Sequence, residues 1–135
     1  MSSSDIDRKI AVILATDVVG YSKHMEKDED ATLSSLNDCN KIIEPLIKKQ
    51  KGRIFNTGGD SVFAEFPSAV AAVNTAVEFQ KQIKARNDQD TTEVKLEYRI
   101  GINMGDVVKQ GDANLMGDGV NIAARLEALA QPGGI

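Results

Sequence analysis

Residues 9–16, with the sequence KIAVILAT, form a nearly continuous run of aliphatic and β-branched side chains. A run of this kind predicts a central β-strand that is covered on one or both faces. A second run, residues 94–103, alternates strictly between apolar and polar side chains. Alternation with a period of two is typical of a half-buried strand, because successive side chains point to opposite faces of a sheet. These two runs predict the core of a β-sheet.

Three other segments have the spacing of amphipathic helices. The first covers residues 29–47, where Pro45 is expected to kink the helix or end its first part. The second helix follows the Pro-Ser pair at 67–68, and the third covers residues 120–130. The chain therefore mixes helices and strands in alternation.

Short strands and turns fill the intervening segments. Runs at 53–56 and 61–66 are separated by Thr-Gly-Gly-Asp at 57–60, which predicts a tight β-hairpin. A turn is expected at 104–106, followed by a short strand at 107–108.

The resulting order, β-α-β-β-α-β-(β)-α, predicts an α+β fold on the ferredoxin-like split βαβ plan, with helices on one face of the sheet. The polar face of the strand at 94–103 would then be uncovered and available to a ligand or a partner chain. Residues 1–8 are expected to be a flexible N-terminal tail, and residues 9–135 to form one domain.

Composition excludes several classes of function. Cys39 is the only cysteine and His24 the only histidine among 135 residues, which excludes an internal disulfide and a Cys/His zinc site. The net charge is −4, and Lys and Arg are scattered rather than clustered, so no nucleic-acid footprint is present. No apolar run approaches the ~20 residues of a membrane helix, and no secretion signal opens the chain, so a cytoplasmic protein without membrane insertion is expected.

Two aspartates are the first candidates for chemistry. Asp17 follows the buried strand, and Asp60 lies at the tip of the hairpin. In a split βαβ sheet these segments are neighbours, so the two carboxylates can converge at one sheet edge. Mg²⁺ prefers one or two such carboxylates together with phosphate oxygens. The spacing is explained equally well if the two aspartates only cap turns.

Two further groups could contact an anionic ligand. Gly20, Tyr21 and Ser22 form a strand-to-helix loop whose backbone N–H groups can approach an anion. Asn121 and Arg125 are four residues apart on the third helix and share one face, where they could contact a sugar and a phosphate. Taken alone, each group has a plain alternative, a common turn or a solvated surface pair.

Taken in order, four motifs resemble the catalytic domains of class III adenylate/guanylate cyclases, and in particular the bacterial branch of that family. They extend from about Arg8 to Ile135 and read ATDVVGYS, RIFNTGGDSVFAEF, YRIGINMGDVV and MGDGVNIAARLEALAQPGGI. The resemblance implies the nucleotide cyclase fold and the conversion of ATP or GTP to a 3′,5′-cyclic nucleotide and pyrophosphate.

The resemblance also implies roles for individual residues. Asp17, Asp60 and the main-chain carbonyl of Val18 match the ligands of two divalent cations, Mg²⁺ or Mn²⁺. The loop of Gly20, Tyr21 and Ser22 matches the turn that holds the triphosphate. Arg99 matches an arginine that pairs with the terminal phosphates. Asn121 and Arg125 match the helix pair that orients the ribose and stabilises the transition state. In such cyclases the aspartates and this pair come from different protomers, so a homodimer with shared active sites is implied.

The chain departs from the family pattern at three places. The positions that read the adenine edge, usually Lys and Asp or Thr, are Asn56 and Asn114. Asparagine both donates and accepts hydrogen bonds and could accommodate either purine, so the base stays open, with ATP favoured by the bacterial branch. The chain also stops at Ile135, before the C-terminal strands that usually carry a triphosphate-binding lysine.

These departures keep a second hypothesis open, a catalytically inactive cyclase-like module that binds nucleotide or dimerises. A relative of the diguanylate cyclases is disfavoured, because Ser61-Val62 replaces the Glu-Phe that would follow Gly-Gly-Asp.

Overall fold

A computed structural model describes residues 7–89, 94–111 and 114–135 of the chain. Its single described sheet has five strands in the order β2-β3-β1-β4-β5, and every neighbouring pair is antiparallel. The strands are β1 (Asp7–Val18), β2 (Arg53–Gly58), β3 (Ser61–Phe66), β4 (Tyr98–Gln110) and β5 (Asn114–Met116). The helices are α1 (Tyr21–Lys27), α2 (Glu29–Lys49), α3 (Ala69–Asn87) and α4 (Asp118–Leu129). The predicted split βαβ plan is confirmed, with β5 added beyond β4.

The long strand β1 lies at the centre of the sheet, as its apolar run predicts. It pairs with β3 on one side and along its whole length with β4 on the other. Its residues 11–16 are all buried. Because β1 and β3 are neighbours, the end of β1 and the turn before β3 meet at the same edge.

The main hydrophobic core lies between the sheet and helices α2 and α3. It includes Val12 and Leu14 from β1 and Phe79 from α3, and Phe79 contacts Tyr98 edge-on with ring centroids 4.9 Å apart. Side-chain caps open both helices: the Asp28 carboxylate accepts from Ala31 N, and the Ser68 hydroxyl from Ala71 N. This core covers one face of the sheet, and α4 lies on the other.

A second, smaller core covers the other face of the sheet. Ala11, Ile13 and Ala15 of β1 pack there with Val107 and with Ala123 of α4. The expectation that all helices lie on one face is therefore wrong for α4, which covers the sheet on the side of Arg99 and Gly101. The close approach is possible because residue 101 is glycine: a Cβ there would overlap the backbone of Ala123 and Glu127.

Four local predictions also differ from the structure. β1 begins at Asp7, so residues 7 and 8 belong to the sheet rather than to a tail, and residues 1–6 of that predicted tail lie outside the described residues. β4 is continuous from 98 to 110, because its ladder with β1 runs through the expected turn at 104–106. Residues 94–97 precede β4 rather than forming part of it. Helix α2 continues through Pro45 to Lys49, so of the two alternatives for Pro45, a kink or an end of the first part of the helix, the second is wrong.

Candidate active site

Asp17 and Asp60 converge at the end of β1. Asp17 is the penultimate residue of β1, and Asp60 lies in the turn between β2 and β3, directly after Gly59 with φ +57°. The Asp60 Oδ2 atom accepts a hydrogen bond of 2.9 Å from Val18 N, the residue next to Asp17. The predicted convergence of the two carboxylates is therefore present in one chain.

Arg99 of β4 pairs with Asp17 across the sheet. The two residues are register partners, and the guanidinium binds the carboxylate through two atoms, Nε to Oδ1 at 3.3 Å and Nη2 to Oδ2 at 3.1 Å. Both side chains are partly buried, with 28% and 21% exposed. Arg99 Nη1 also donates to the carbonyl of Ala128 at 3.2 Å, at the end of α4. A paired fork of this kind fixes the orientation of the carboxylate.

Glu127 is a site residue that the sequence analysis did not identify. It lies on the sheet-facing side of α4 with 7% of its surface exposed, and its Oε2 atom is 3.6 Å from Arg99 Nε. Within the described part of the chain, Oε2 accepts no hydrogen bond. Burial, helped by the neighbouring Asp17 carboxylate, raises the pKa of Glu127 to about 7.

The pair of Asn121 and Arg125 lies on the opposite side of the same helix. The residues of α4 that face the sheet are Gly119, Ala123 and Glu127, which recur every four positions. At about 100° per residue, positions 121 and 125 fall roughly opposite that row, and both side chains are exposed. The structure does not bring Asn121 or Arg125 to Asp17 of the same chain.

Apolar side chains accompany this outward pair. Ile122, Leu126 and Leu129 are 39%, 40% and 78% exposed, so the apolar row of α4 faces away from the sheet. An exposed apolar row beside polar residues is typical of an interaction surface.

The loop after β1 has the geometry of a strand-to-helix turn. Gly20 adopts a left-handed conformation with φ +65° and precedes the first residue of α1. Val19 N is held by the carbonyl of Glu97 at 2.8 Å, and His24 N is the first to bond back, to Gly20 O at 3.1 Å. The amides of Tyr21 and Ser22 therefore lie in the first turn of the helix, where amides have no intrahelical acceptor.

Asn56 and Asn114 come from the two border strands of the sheet. A β-bulge lies between Ile54 and Asn56, and Asn56 is paired with Phe63, which packs on the α4 side of the sheet. Asn114 opens β5, where its amide Nδ2 donates to Gln110. Although β2 and β5 are at opposite ends of the strand order, some of their Cα atoms lie within 8 Å, so the sheet curls these strands towards each other.

The donor set at the end of β1 fits a hard divalent cation. Two carboxylates and one adjacent carbonyl, that of Val18, come from the end of β1 and the neighbouring turn, and Asp60 Oδ2 is already oriented by a backbone amide. Within residues 7–89, 94–111 and 114–135, no cluster of three or more His, Cys, Asp or Glu side chains could hold a metal by itself. In phosphate sites Mg²⁺ is usually held by one or two carboxylates together with phosphate oxygens.

This sheet, with an aspartate pair at the end of its central strand, defines a nucleotide cyclase fold, and comparison with known proteins gives the family. Residues 5–135 match the model of the adenylate and guanylate cyclase catalytic domain. The chain belongs to that family, which confirms the resemblance found in its motifs.

The chain is 44% identical to the Rhizobium meliloti (strain 1021) protein named "Putative adenylate cyclase 3". The match covers 100% of this chain and 23% of that protein. It is 40% identical to the adenylate/guanylate cyclase/hydrolase of Silicibacter pomeroyi, with a TM-score of 0.84, covering 95% of this chain and 74% of that one. The adenylyl cyclase CyaB of P. aeruginosa is 28% identical with a TM-score of 0.83, covering 95% and 76% of the two chains. The guanylyl cyclase Cya2 is 26% identical with a TM-score of 0.82, covering 94% and 73%.

The chain thus spans about a quarter of the curated relative that it matches at 44% identity. Among the described residues, no helix combines the length and the apolar character needed to cross a membrane.

Proposed function

We propose that this chain is the catalytic domain of a nucleotidyl cyclase that converts a purine nucleoside triphosphate to its 3′,5′-cyclic nucleotide and pyrophosphate. The observation that carries the proposal is that Asp60 accepts a hydrogen bond from the amide of Val18, the residue next to Asp17, which holds the two aspartates at the same end of β1. The chain that contains this pair belongs to the cyclase family. In the reaction, the ribose 3′-oxygen bonds to the α-phosphorus, the bond from that phosphorus to the bridging oxygen breaks, and the hydroxyl proton is released.

Asp17, Asp60 and the Val18 carbonyl would hold two divalent cations, Mg²⁺ or Mn²⁺. When bound, such ions lower the pKa of the attacking hydroxyl and neutralise charge on the attacking and leaving oxygens. The chain itself supplies part of the preorganisation, because the Val18 amide fixes the orientation of Asp60. Preorganised charges of this kind need no reorientation when the substrate reacts.

The loop at Gly20, Tyr21 and Ser22 would hold the triphosphate. Its amides lie in the first turn of α1, immediately after the β1 strand that presents Asp17. Binding of the terminal phosphates by Arg99 stays a prediction. That role requires the Arg99 guanidinium to leave Asp17, to which it donates two hydrogen bonds.

Asn121 and Arg125 would complete the site from a second copy of the chain. Arg125 would neutralise charge on the α-phosphoryl group, and Asn121 would orient the ribose. The outward direction of both residues and the exposed apolar row beside them support a homodimer with two shared sites.

The choice of base would depend on Asn56 and Asn114. Each amide can donate and accept, which suits the edge of adenine or of guanine. Similarity to both an adenylyl and a guanylyl cyclase fits this open choice. We favour ATP, because the full-length match is to a protein named as an adenylate cyclase. We propose that the enzyme is cytoplasmic and acts on a free nucleotide, as expected from the sequence.

The proposal is tested by incubating the chain with ATP or GTP and Mn²⁺ and separating the cyclic product by chromatography. We expect product from at least one nucleotide, and a loss of about a hundredfold or more in Asp60→Asn. Asp88→Asn is the matched control, because Asp88 is an exposed carboxylate paired with Lys84 on α3. Bound nucleotide without product from either substrate would instead support the inactive cyclase-like module that Asn56 and Asn114 keep open.

A further inference from the structure

The guanidinium of Arg99 lies between two structural elements that carry different parts of the site. On one side it donates to both oxygens of Asp17, at the end of β1. On the other it donates to the Ala128 carbonyl and lies 3.6 Å from Glu127, at the end of α4. Arg99 thus connects the metal-binding strand with the helix that carries Asn121 and Arg125.

The charges around this guanidinium are unbalanced. Three carboxyl groups act on Arg99, those of Asp17, Glu127 and Asp60, and they come from β1, α4 and the β2–β3 turn. Partly buried carboxylates are costly unless a cation or hydrogen bonds compensate them. In the described chain Arg99 supplies that compensation to Asp17.

A divalent cation on Asp17 would change this balance. It would need the oxygens to which Arg99 now donates, and it would repel the guanidinium because like charges at a few ångströms disfavour each other. Arg99 would then need another acceptor. Glu127 Oε2 is suited to that role, because it is buried, lacks a hydrogen bond among the described residues, and lies within an ångström of hydrogen-bonding distance to Arg99 Nε.

We propose that Arg99 and Glu127 form a counter-ion switch for the metal site. Arg99 neutralises Asp17 when no cation is bound, and moves to Glu127 when Asp17 binds a divalent cation. In this switch both act as positioning residues through Asp17, and contact of Arg99 with the terminal phosphates is a separate prediction. The inference rests on the proposed function in one respect, namely that Asp17 is a cation ligand.

The switch makes a prediction about coupling that simple electrostatics does not make. If Glu127 acts through Arg99, its removal should matter only while Arg99 is present. If Glu127 instead acts on the cation through space, its removal should weaken binding by the same factor with or without Arg99, since independent effects add in free energy.

The experiment measures Mn²⁺ binding to the full chain, without nucleotide, from the loss of the free Mn²⁺ signal in electron paramagnetic resonance. Four forms are compared: the wild type, Glu127→Gln, Arg99→Gln and the double variant. We expect Glu127→Gln to weaken binding about tenfold, within the usual range of coupling between sites. In the Arg99→Gln background the same change should alter binding less than about twofold. An equal loss in both backgrounds would overturn the switch.

A second measurement follows Arg99 directly and covers the case in which a variant unfolds. The ¹⁵N resonances of the Arg99 side chain should shift when Mg²⁺ is added to the wild type, and should stay unchanged in Asp17→Asn. A wild-type Arg99 signal that does not respond to Mg²⁺ at saturation would contradict the switch. Lys84→Gln is the control for general charge effects, because Lys84 forms an exposed ion pair on α3. In this variant the Arg99 resonances should respond to Mg²⁺ as they do in the wild type.

The results separate this inference from the proposed function. Mn²⁺ binding with the expected coupling, but without cyclic product, would refute the cyclase and support the switch. Mn²⁺ binding that Asp17→Asn leaves unaffected would refute both the cation ligand and the switch.

Discussion

The two ends of the candidate site differ in how far one chain completes them. The carboxylate end is assembled within the protomer, where Asp17, Asp60 and Arg99 come from three neighbouring segments of one sheet. The helix end is not, because Asn121 and Arg125 project from the outer side of α4. Strand pairing alone brings the first group together, whereas we propose that the second group completes a site on another molecule. We therefore expect mutations at the two ends to behave differently in mixed dimers.

The largest expected effect comes from separating the two ends genetically. Asp60→Asn and Arg125→Ala should each reduce cyclase activity about a hundredfold or more, because each removes charge stabilisation of the transition state. Mixed in equal amounts and allowed to exchange subunits, the two variants should recover about a quarter of the wild-type activity. Half of the dimers are then mixed, and each contains one intact site.

Activity is measured before and after exchange at a fixed total concentration. Two portions of the same variant, mixed identically, are the control. If the mixture stays as inactive as its components although mixed dimers form, the two ends do not complete one site across a dimer.

An intermediate effect is expected where α4 is fixed on the sheet. Gly101→Ala should reduce the free energy of unfolding by about 3 kcal/mol, because the added methyl group overlaps the backbone of Ala123 and Glu127. Gly58→Ala is the control, since a Cβ at Gly58 meets nothing within 4 Å and should change stability by less than about 0.5 kcal/mol. Urea unfolding measures both. If Gly101→Ala and Gly58→Ala had equal free energies of unfolding, α4 would be free to shift on β4.

The smallest effect concerns the pH dependence of the carboxylate end. The pKa of Glu127 is raised by burial from 4.5 to about 7, so between these values the folded chain binds more protons than the unfolded chain. The contribution of Glu127 to stability is therefore present at low pH and declines as the pH rises through that window. Glu127→Gln lacks this decline.

Between pH 5 and pH 8, the wild type should lose about 2 kcal/mol of unfolding free energy relative to Glu127→Gln. The measurement is urea unfolding with EDTA present, so that no divalent cation competes. Parallel curves for the two proteins would show that the carboxyl group is ionised across the whole range.

Much of the fold and the carboxylate end could be predicted from sequence, because both depend on patterns along the chain. The apolar run at 9–16 predicts the central strand, and two glycines between strands predict the hairpin. Once these are neighbours, Asp17 and Asp60 must lie near one edge. The order of the four family motifs then identified the same residues independently.

The placement of α4 could not be predicted in the same way. An apolar row normally marks the buried side of a helix, and Ile122, Leu126 and Leu129 are the most apolar row of α4. The structure instead buries the row of Gly119, Ala123 and Glu127, because the backbone of Ala123 and Glu127 packs directly against Gly101 of β4. That contact joins segments about twenty residues apart, so local periodicity contains no signal for it. Glu127 was missed for this reason.

The continuity of β4 was hidden by local composition. Met104, Gly105 and Asp106 have the composition of a turn, yet they pair with residues 10–12 of β1 in an unbroken ladder. Pairing with a long central strand thus outweighs a weak turn preference, since each paired residue satisfies backbone groups that a turn would leave to solvent.

The bulge in β2 also has a consequence for how the protein behaves in concentrated solution. Exposed sheet borders with regular unpaired amides are templates for edge-to-edge aggregation. Here one border strand is interrupted next to Asn56, and the other, β5, has three residues. The first part of β4 is also covered, because Tyr98 and Ile100 exchange backbone hydrogen bonds with Gly133 and Gly134. Self-association of this domain should therefore proceed through its faces, and its sheet should resist growth into fibrils.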